Sequence, residues 1–155
     1  MTDVDLELLQ GESIMSAVEE RIYRQITDLM MDGDKIATTA FGPATIDRDM
    51  PSFARASLTS AQQARDWHTN NASRPSLAVY AVTVGEVIEG GRHVIDDSAA
   101  PLEDGELRAP AHCFVDYRGL TRPARKALRA HLWLQATERG EIPTDPTLPD
   151  GQLIA

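Results

Sequence analysis

The residue types best suited to chemistry stand together in the apolar segment 111–117, AHCFVDY. On a β-strand, side chains two residues apart share a face, so His112 and Asp116 are expected on one side and Cys113 on the other. An imidazole beside a carboxylate can exchange protons near neutral pH or supply half of a metal site. His112 and Asp116 are therefore the candidate catalytic pair. The alternative is a His and an Asp that only anchor the ends of a strand.

A complete site needs a third group from elsewhere in the chain, and His68, His93 and Asp66 are the candidates for it. Cys113 is a poor nucleophile because its apolar neighbours would raise the pKa of the thiol. The sequence lacks a phosphate-binding glycine loop, an HExxH helix, a CxxC pair and a GxSxG turn. We therefore predict neither a cofactor nor a metal.

Positive charge is concentrated directly after this segment. Five basic residues and no acidic one lie between positions 118 and 137. Cations at a helix N-terminus oppose the helix dipole and cost about 0.3–1 kcal/mol each, whereas the free N–H groups there attract anions. The cluster is predicted to bind an anion or an acidic partner; a solvated face and a pairing surface for the acidic first helix are the alternatives. Its members are Arg118, Arg122, Arg125, Lys126 and Arg129.

Negative charge is concentrated at the other end of the chain. Residues 3–34 hold nine acidic side chains against Arg21 and Arg24, and the whole chain carries a net charge of -9. Such a charge repels nucleic acid, so a nucleic-acid partner is disfavoured. Segregated charge instead predicts docking, either within the molecule or onto a protein partner, and the partner can be a second copy in a homodimer.

Composition is typical of a small single-domain protein. The 155 residues are 42% hydrophobic, enough for a core without disulfides, and Cys113 is the only cysteine. The acidic start MTDVDLELLQ is unlike a secretion signal. No apolar run reaches the ~20 residues of a membrane span. We therefore expect a cytoplasmic protein that does not contact a membrane.

Apolar spacing predicts helices at both ends of the domain. The first covers 13–31, where apolar residues recur at three- and four-residue steps. The last runs from Thr121, a capping residue, to Gly140, which favours a helix end. Between them, capping boxes that begin at Ser60 and Thr83 predict two shorter helices.

Short apolar segments predict the strands. Residues 77–84 are apolar on both faces, as expected of a central strand that is covered on both sides. The segments 35–41, 92–96 and 112–117 are further candidate strands. The stretch 42–58 has two prolines and no sustained period, so we predict a surface loop there.

These elements divide the chain into three parts. Residues 1–12 are predicted to form a flexible acidic arm, 13–140 a single α+β domain and 141–155 an extended proline-rich tail. The domain would contain a small central sheet of three to four short strands, packed by the N- and C-terminal helices.

The run LAVYAVTVGEVIEGGRHVIDD is followed after a loop by AHCFVDYRGL and a basic helix. This pattern resembles a small domain found among uncharacterised bacterial proteins, and the resemblance covers roughly 41–140. The loop before AHCF is longer and more acidic here than in that pattern. The resemblance implies a single bacterial domain and carries over no activity.

Two functions follow as expectations. The first is a protein-interaction module of the bacterial cytoplasm that docks through segregated acidic and basic surfaces; an inhibitor that presents its acidic surface to a basic toxin uses the same principle. The alternative is a small enzyme or effector that acts on a phosphate-bearing substrate, a nucleotide or RNA. There His112 and Asp116 would be the acid–base pair, with Arg118 and Arg122 holding the anion. The enzyme requires these side chains to converge on one concave surface.

Overall fold

The structure is a computed structural model that describes residues 8–44 and 49–147. Within these residues the chain forms three α-helices and eight short strands. The helices are α1 (Ala61–Asn71), α2 (Val84–Glu89) and α3 (Arg122–Arg139). The strands are β1 (Ser13–Ile14), β2 (Arg21–Ile26), β3 (Met31–Asp32), β4 (Lys35–Ile36), β5 (Ser52–Arg55), β6 (Ala78–Thr83), β7 (Val94–Asp96) and β8 (His112–Val115). Two short 3-10 helices span Asp28–Met30 and Thr38–Phe41.

Six of the strands form one antiparallel sheet in the order β1-β7-β8-β5-β2-β6, and β3 and β4 form a separate hairpin that turns at Gly33. The predicted α+β class is confirmed. The sheet has six strands, however, where three to four were expected. The additional strands lie in segments that were predicted as a helix or a loop: β1 and β2 lie in the predicted first helix, and β5 lies in the predicted loop 42–58.

The predicted N-terminal helix over 13–31 is wrong. Most of its central part is β2, in which the alternate residues Ile22, Arg24 and Ile26 are buried. A four-residue step is about one helical turn and also two strand periods, so the spacing of Ile22 and Ile26 suits either element. The segment is a strand because it pairs with β5 on one side and β6 on the other. Its β-branched and aromatic residues also favour a strand.

The predicted starts of the other three helices are confirmed by their capping groups. Ser60 and Thr83 each complete a capping box, and Thr121 accepts a hydrogen bond from the backbone of the first turn of α3. α3 ends at Gly140, whose φ of 90° is a conformation that favours glycine. These signals act within three or four residues and do not depend on which elements become neighbours.

The two faces of the sheet are covered differently. One face packs against α2, α3 and the second 3-10 helix, and the apolar core lies there. The other face meets α1, which leaves part of the sheet open beside it. Completely buried core side chains come from the sheet and from all the elements on the first face: Ile22, Ile26, Phe41, Val82, Val87, Val94, Val115, Tyr117 and Leu132.

β6 is an edge strand, although its apolar faces predicted a central one. Val79, Ala81 and Val82 are nevertheless completely buried. The segment after α3 covers the outer edge, where Ile142 N–H donates to the Val79 carbonyl at 2.9 Å. This bridge occupies one position of an edge that could otherwise pair with another chain. The described part of the predicted tail, 141–147, continues onto α1, and the rest lies outside the described residues.

Gly11 and Glu12 at the end of the predicted acidic arm contact the domain, whereas residues 8–10 are exposed and residues 1–7 lie outside the described part of the chain. Gly11 has a φ of 81°, and a Cβ there would lie 2.4 Å from the backbone of Ala100. Glu12 binds the guanidinium group of Arg118 at 3.1 Å. At this point the acidic start of the chain docks on the basic segment within the same molecule.

A partly buried ion cluster joins β5 to residues at the start of β2 and the end of β7. Arg55 donates to the two carboxylate oxygens of Glu20 at 3.0 and 3.1 Å and to Asp96 at 2.7 Å. Burial by itself would raise the pKa of both carboxyls. Hydrogen bonds from Arg55, Ser57 and Ser98 outweigh it, so the pKa of Glu20 and the pKa of Asp96 lie below their ordinary values.

Acid should destabilise the fold through these two carboxyls. Because each pKa is lower in the folded chain than in the unfolded chain, the stabilisation is complete above the ordinary values of 4.5 for Glu and 3.8 for Asp and is lost as the pH falls further. Thermal denaturation should be measured from about pH 6 to pH 3. At pH 6 the melting temperature of Glu20→Gln should be lower than that of the wild type, and on acidification it should fall by less. Asp28→Asn, which removes an exposed ion pair with Arg74, is the control. Parallel pH curves for Glu20→Gln and the wild type would contradict the role of Glu20.

Candidate active site

A cleft of about 770 Å³ opens on the sheet face that carries α1. Strands β2, β5 and β8 form its floor, α1 forms one wall, and residues from 102 to 110, in the connection between β7 and β8, form another. This volume lies within the range of small-molecule sites. His112 is on the floor, so the structure places one of the two predicted catalytic residues in a concave site.

Both ring nitrogens of His112 are within hydrogen-bond distance of polar side chains. Nδ1 lies 2.6 Å from Asp97 Oδ1, and Nε2 lies 2.9 Å from Ser52 Oγ. A carboxylate only accepts hydrogen bonds, so Nδ1 carries the proton, and Nε2 of the neutral ring accepts from the serine hydroxyl. Ser52, His112 and Asp97 thus stand in the order of nucleophile, base and orienting carboxylate. We call these three side chains the triad.

Strand register brings the triad together. β8 lies between β7 and β5, and Asp96 at the end of β7 is opposite Cys113. The next residue, Asp97, therefore comes level with His112. On the other side, Ser52 at the start of β5 is a diagonal step from His112, a distance that long side chains can span.

The backbone directly before His112 is strained. Ala111 has a φ of 64°, in the left-handed region that residues other than glycine rarely adopt. Its carbonyl accepts a hydrogen bond from Arg55 N–H at 2.9 Å, which helps to hold this conformation. Strain of this kind costs about 1–3 kcal/mol and is concentrated at functional sites. Here it fixes the direction in which the chain enters β8.

Other polar side chains reach the cleft from neighbouring elements. His68 on α1 is hydrogen-bonded to the backbone of Arg74, and burial lowers the pKa of its imidazole, so the ring is neutral near pH 7. Within the described residues, His68 Nε2 and one end of the Gln25 side-chain amide are buried without a hydrogen-bond partner. Tyr23 contributes a phenol ring from β2.

Asp116, the expected partner of His112, is not part of the cleft lining. Its side chain is completely buried; the carboxylate accepts from Arg118 Nε at 2.8 Å and lies 3.4 Å from Arg92. Asp116 therefore anchors the turn between β8 and α3. Asp97, which the sequence analysis did not single out, is the carboxylate that contacts His112.

Two of the five predicted anion-binding residues are paired with acidic groups of the same chain. Arg118 binds Glu12, and Arg125 binds Asp49. Burial by itself would lower the pKa of Arg118, but its acidic partners outweigh this effect and raise it, so the guanidinium stays charged. Pairing within the molecule therefore accounts for these two residues, although neither acid lies in the predicted first helix over 13–31.

The other three members of the basic cluster have different surroundings. Arg129 is half-buried and packs against Gly42. Arg122 and Lys126 are exposed in the first two turns of α3, and no acidic group in the described residues pairs with either. None of the five basic residues lines the cleft.

Of the remaining candidate residues, only some lie in the cleft. Of the three possible third groups, His68 lines the cleft, whereas His93 and Asp66 do not. Cys113 is completely buried, and burial raises the pKa of its thiol, as expected. Among residues 8–44 and 49–147, no three His, Cys, Asp or Glu side chains are grouped so as to hold a metal ion.

The chain matches no protein-family model, no curated protein and no solved structure. None of the helices in the described part of the chain has the length and the apolar composition that a bilayer span requires. Function is therefore inferred from the geometry of the cleft.

Replacing Asp116 and replacing Asp97 should lower the free energy of unfolding by different amounts. Asp116→Asn breaks a completely buried charge network and should lower the free energy of unfolding by about 3–5 kcal/mol. Asp97→Asn weakens one less buried hydrogen bond and should cost less, about 1–2 kcal/mol. Urea denaturation measures both values. Equal losses, or a larger loss for Asp97→Asn, would contradict these assignments.

Proposed function

We propose that the protein is a small hydrolase that transfers the acyl group of an ester to Ser52 and then to water. The observation that carries the proposal is the pair of contacts that join His112 to Ser52 and to Asp97, at 2.9 and 2.6 Å, on the floor of an open cleft. Nucleophile, base and orienting carboxylate in mutual contact are the geometry by which serine acyl-transfer sites are recognised. The order of the residues in the sequence carries no weight, because this geometry recurs on unrelated folds.

In the first half of the proposed reaction, Ser52 Oγ attacks the carbonyl carbon of the ester while His112 Nε2 takes the hydroxyl proton. Asp97 stabilises the imidazolium ion that forms. As the bond between the carbonyl carbon and the alcohol oxygen breaks, this proton passes to that oxygen and the alcohol leaves. The acyl group then remains on Ser52 as an ester.

In the second half, a water molecule attacks the acyl carbon and gives a proton to His112. The ring returns the proton to Ser52 Oγ as the carboxylic acid leaves. A positioned base of this kind contributes about 10²–10⁴-fold to the rate.

The oxyanion that forms in each half needs a hydrogen-bond donor. We assign this role to the hydroxyl group of Tyr23. Tyr23 on β2 is opposite Ala54 on β5, which is opposite His112 on β8. Tyr23, Ala54 and His112 all line the cleft, and the small residue Ala54 is the one that lies between the other two in the sheet.

A phosphate-bearing substrate, the alternative expected from the sequence, suits the cleft less well. Arg118 and Arg122, which were to hold the anion, lie outside the cleft lining. Arg118 is also occupied by Glu12 and Asp116. Three arginines do line the cleft, and each already has partners in this chain. Arg24 and Arg108 donate to backbone carbonyls, and Arg74 binds Asp28. These observations favour a neutral ester over a phosphate.

Docking through charge is a second candidate function, and it concerns a separate surface. Arg122 and Lys126 are exposed at the start of α3, and neighbouring Arg118 and Arg125 already bind carboxylates of this chain. A second copy of the chain, with its net charge of -9, is one partner that would suit this surface.

The hydrolase predicts that Ser52 is a reactive serine. A fluorophosphonate probe should form a bond between its phosphorus and Ser52 Oγ with loss of fluoride, and mass spectrometry of the labelled peptide should identify the site. Ser52→Ala and His112→Ala should abolish both labelling and hydrolysis of p-nitrophenyl acetate. Asp97→Asn should lower kcat/KM by about 10²–10⁴-fold.

Ser73→Ala provides the matched control, because Ser73 also lines the cleft but does not contact His112. It should retain labelling and activity. Activity that survives in Ser52→Ala, or a label found on another serine, would refute the hydrolase.

The docking surface predicts association that depends on salt. Screening shortens electrostatic reach from about 10 Å at 0.1 M salt to about 3 Å at 1 M. Sedimentation velocity should show self-association at low salt that is weaker at about 0.5 M salt and absent in the double variant Arg122→Glu/Lys126→Glu. Arg74→Glu, an exposed charge on another surface, should behave like the wild type. A chain that stays monomeric at low salt would rule out the homodimer.

A further inference from the structure

Four leucines line the cleft with exposed side chains. Leu29 is 70% exposed, Leu58 59%, Leu102 48% and Leu107 71%. Leu107 and Leu29 are the two most exposed large apolar residues in the described part of the chain. Single exposed leucines are common on protein surfaces, but several around one concave site mark a surface for an apolar ligand.

Three of the four leucines are attached to the elements that carry the triad, and the fourth, Leu29, follows the strand that carries Tyr23. Leu102 and Leu107 lie in the connection between β7 and β8, which has triad residues at both of its ends. Leu58 follows β5, the strand that begins at the triad serine, and Leu29 lies in the 3-10 helix after β2. The apolar surface and the reactive groups therefore belong to one cleft.

The connection that carries Leu102 and Leu107 is held at its base. Arg108 Nη1 donates to the carbonyls of Ser98 and Ala100 at 3.2 and 2.8 Å. Gly11 also packs closely against the backbone of Ala100. The two leucines lie between these anchors, so they are presented to the cleft without packing into the core.

A hydrocarbon chain suits this surface. The rest of the cleft lining includes the apolar side chains of Ala54, Ala64, Trp67 and Pro110. The volume of about 770 Å³ accommodates several carbon atoms beside an ester group. Each methylene group that such a surface removes from water strengthens binding about fourfold.

We propose that the ester hydrolysed in this cleft is that of a medium-length apolar carboxylic acid, whose chain the four leucines bind. The inference rests on the proposed function, because the triad attacks the carbonyl while the leucines hold the chain beside it. An acetate ester contacts the triad alone. An ester with a longer acyl chain contacts the triad and the four leucines.

The first test compares kcat/KM for p-nitrophenyl octanoate and p-nitrophenyl acetate. We expect octanoate to be preferred by at least about tenfold. The double variant Leu102→Gln/Leu107→Gln should lose this preference, because kcat/KM for octanoate falls toward the value for acetate; both side chains are exposed, so the fold should tolerate the change. Leu134→Gln, at a 46% exposed leucine of α3 that does not line the cleft, is the matched control and should behave like the wild type.

A binding measurement separates this inference from the proposed function. Octanoate added to Ser52→Ala should change the fluorescence of Trp67, which lines the cleft. Acetate should have no effect, and Trp67→Phe should remove the signal. Octanoate binding that requires Leu102 and Leu107, in a protein with no esterase activity, would support the leucine site and reject the hydrolase. Equal hydrolysis of both esters, unchanged in the double variant, would overturn the leucine site and leave the hydrolase standing.

Discussion

The candidate site depends on the two-residue period of β7 and β8. Successive side chains of a strand point to opposite faces of the sheet, so the adjacent carboxyls Asp96 and Asp97 enter different surroundings. Asp96 faces the core side, where it binds Arg55, and Asp97 faces the cleft, where it contacts His112. The same alternation buries Cys113 beneath the sheet. A shift of one residue in this register would exchange the two environments and separate the triad.

Most of the charge segregation along the chain is used for internal packing. The network of Glu12, Arg118 and Asp116 ties the N-terminal segment to the turn before α3. The cluster around Arg55 ties the start of β2 to the end of β7. These contacts lie away from the cleft and leave its lining largely apolar. Charge thus fixes the framework, while the cleft holds the hydrogen-bonded triad that is suited to proton transfer.

Local signals were enough to locate three helices, whereas the sheet depends on contacts between distant segments. The caps of α1, α2 and α3 act within a few residues and were readable in the sequence. The four-residue spacing in β2 suits both a helix and a strand, and β5 is a strand only because β2 and β8 lie beside it. The candidate site likewise combines one residue that was found from the sequence with two that depend on strand pairing. His112 was predicted from residue type, and spacing along one strand then favoured Asp116 as its partner. Pairing between strands selects Asp97, 15 residues earlier, and Ser52, which had been assigned to a loop.

The most direct test of the triad is the tautomer of His112, read from the NMR spectrum of the full chain with ¹⁵N-labelled histidine at a pH where the ring is neutral. Geometry predicts a proton on Nδ1 and none on Nε2, with an Nδ1–H resonance that shifts or disappears in Asp97→Asn. A proton on Nε2, unaffected by Asp97→Asn, would contradict the triad, because such a ring cannot accept the hydroxyl proton of Ser52.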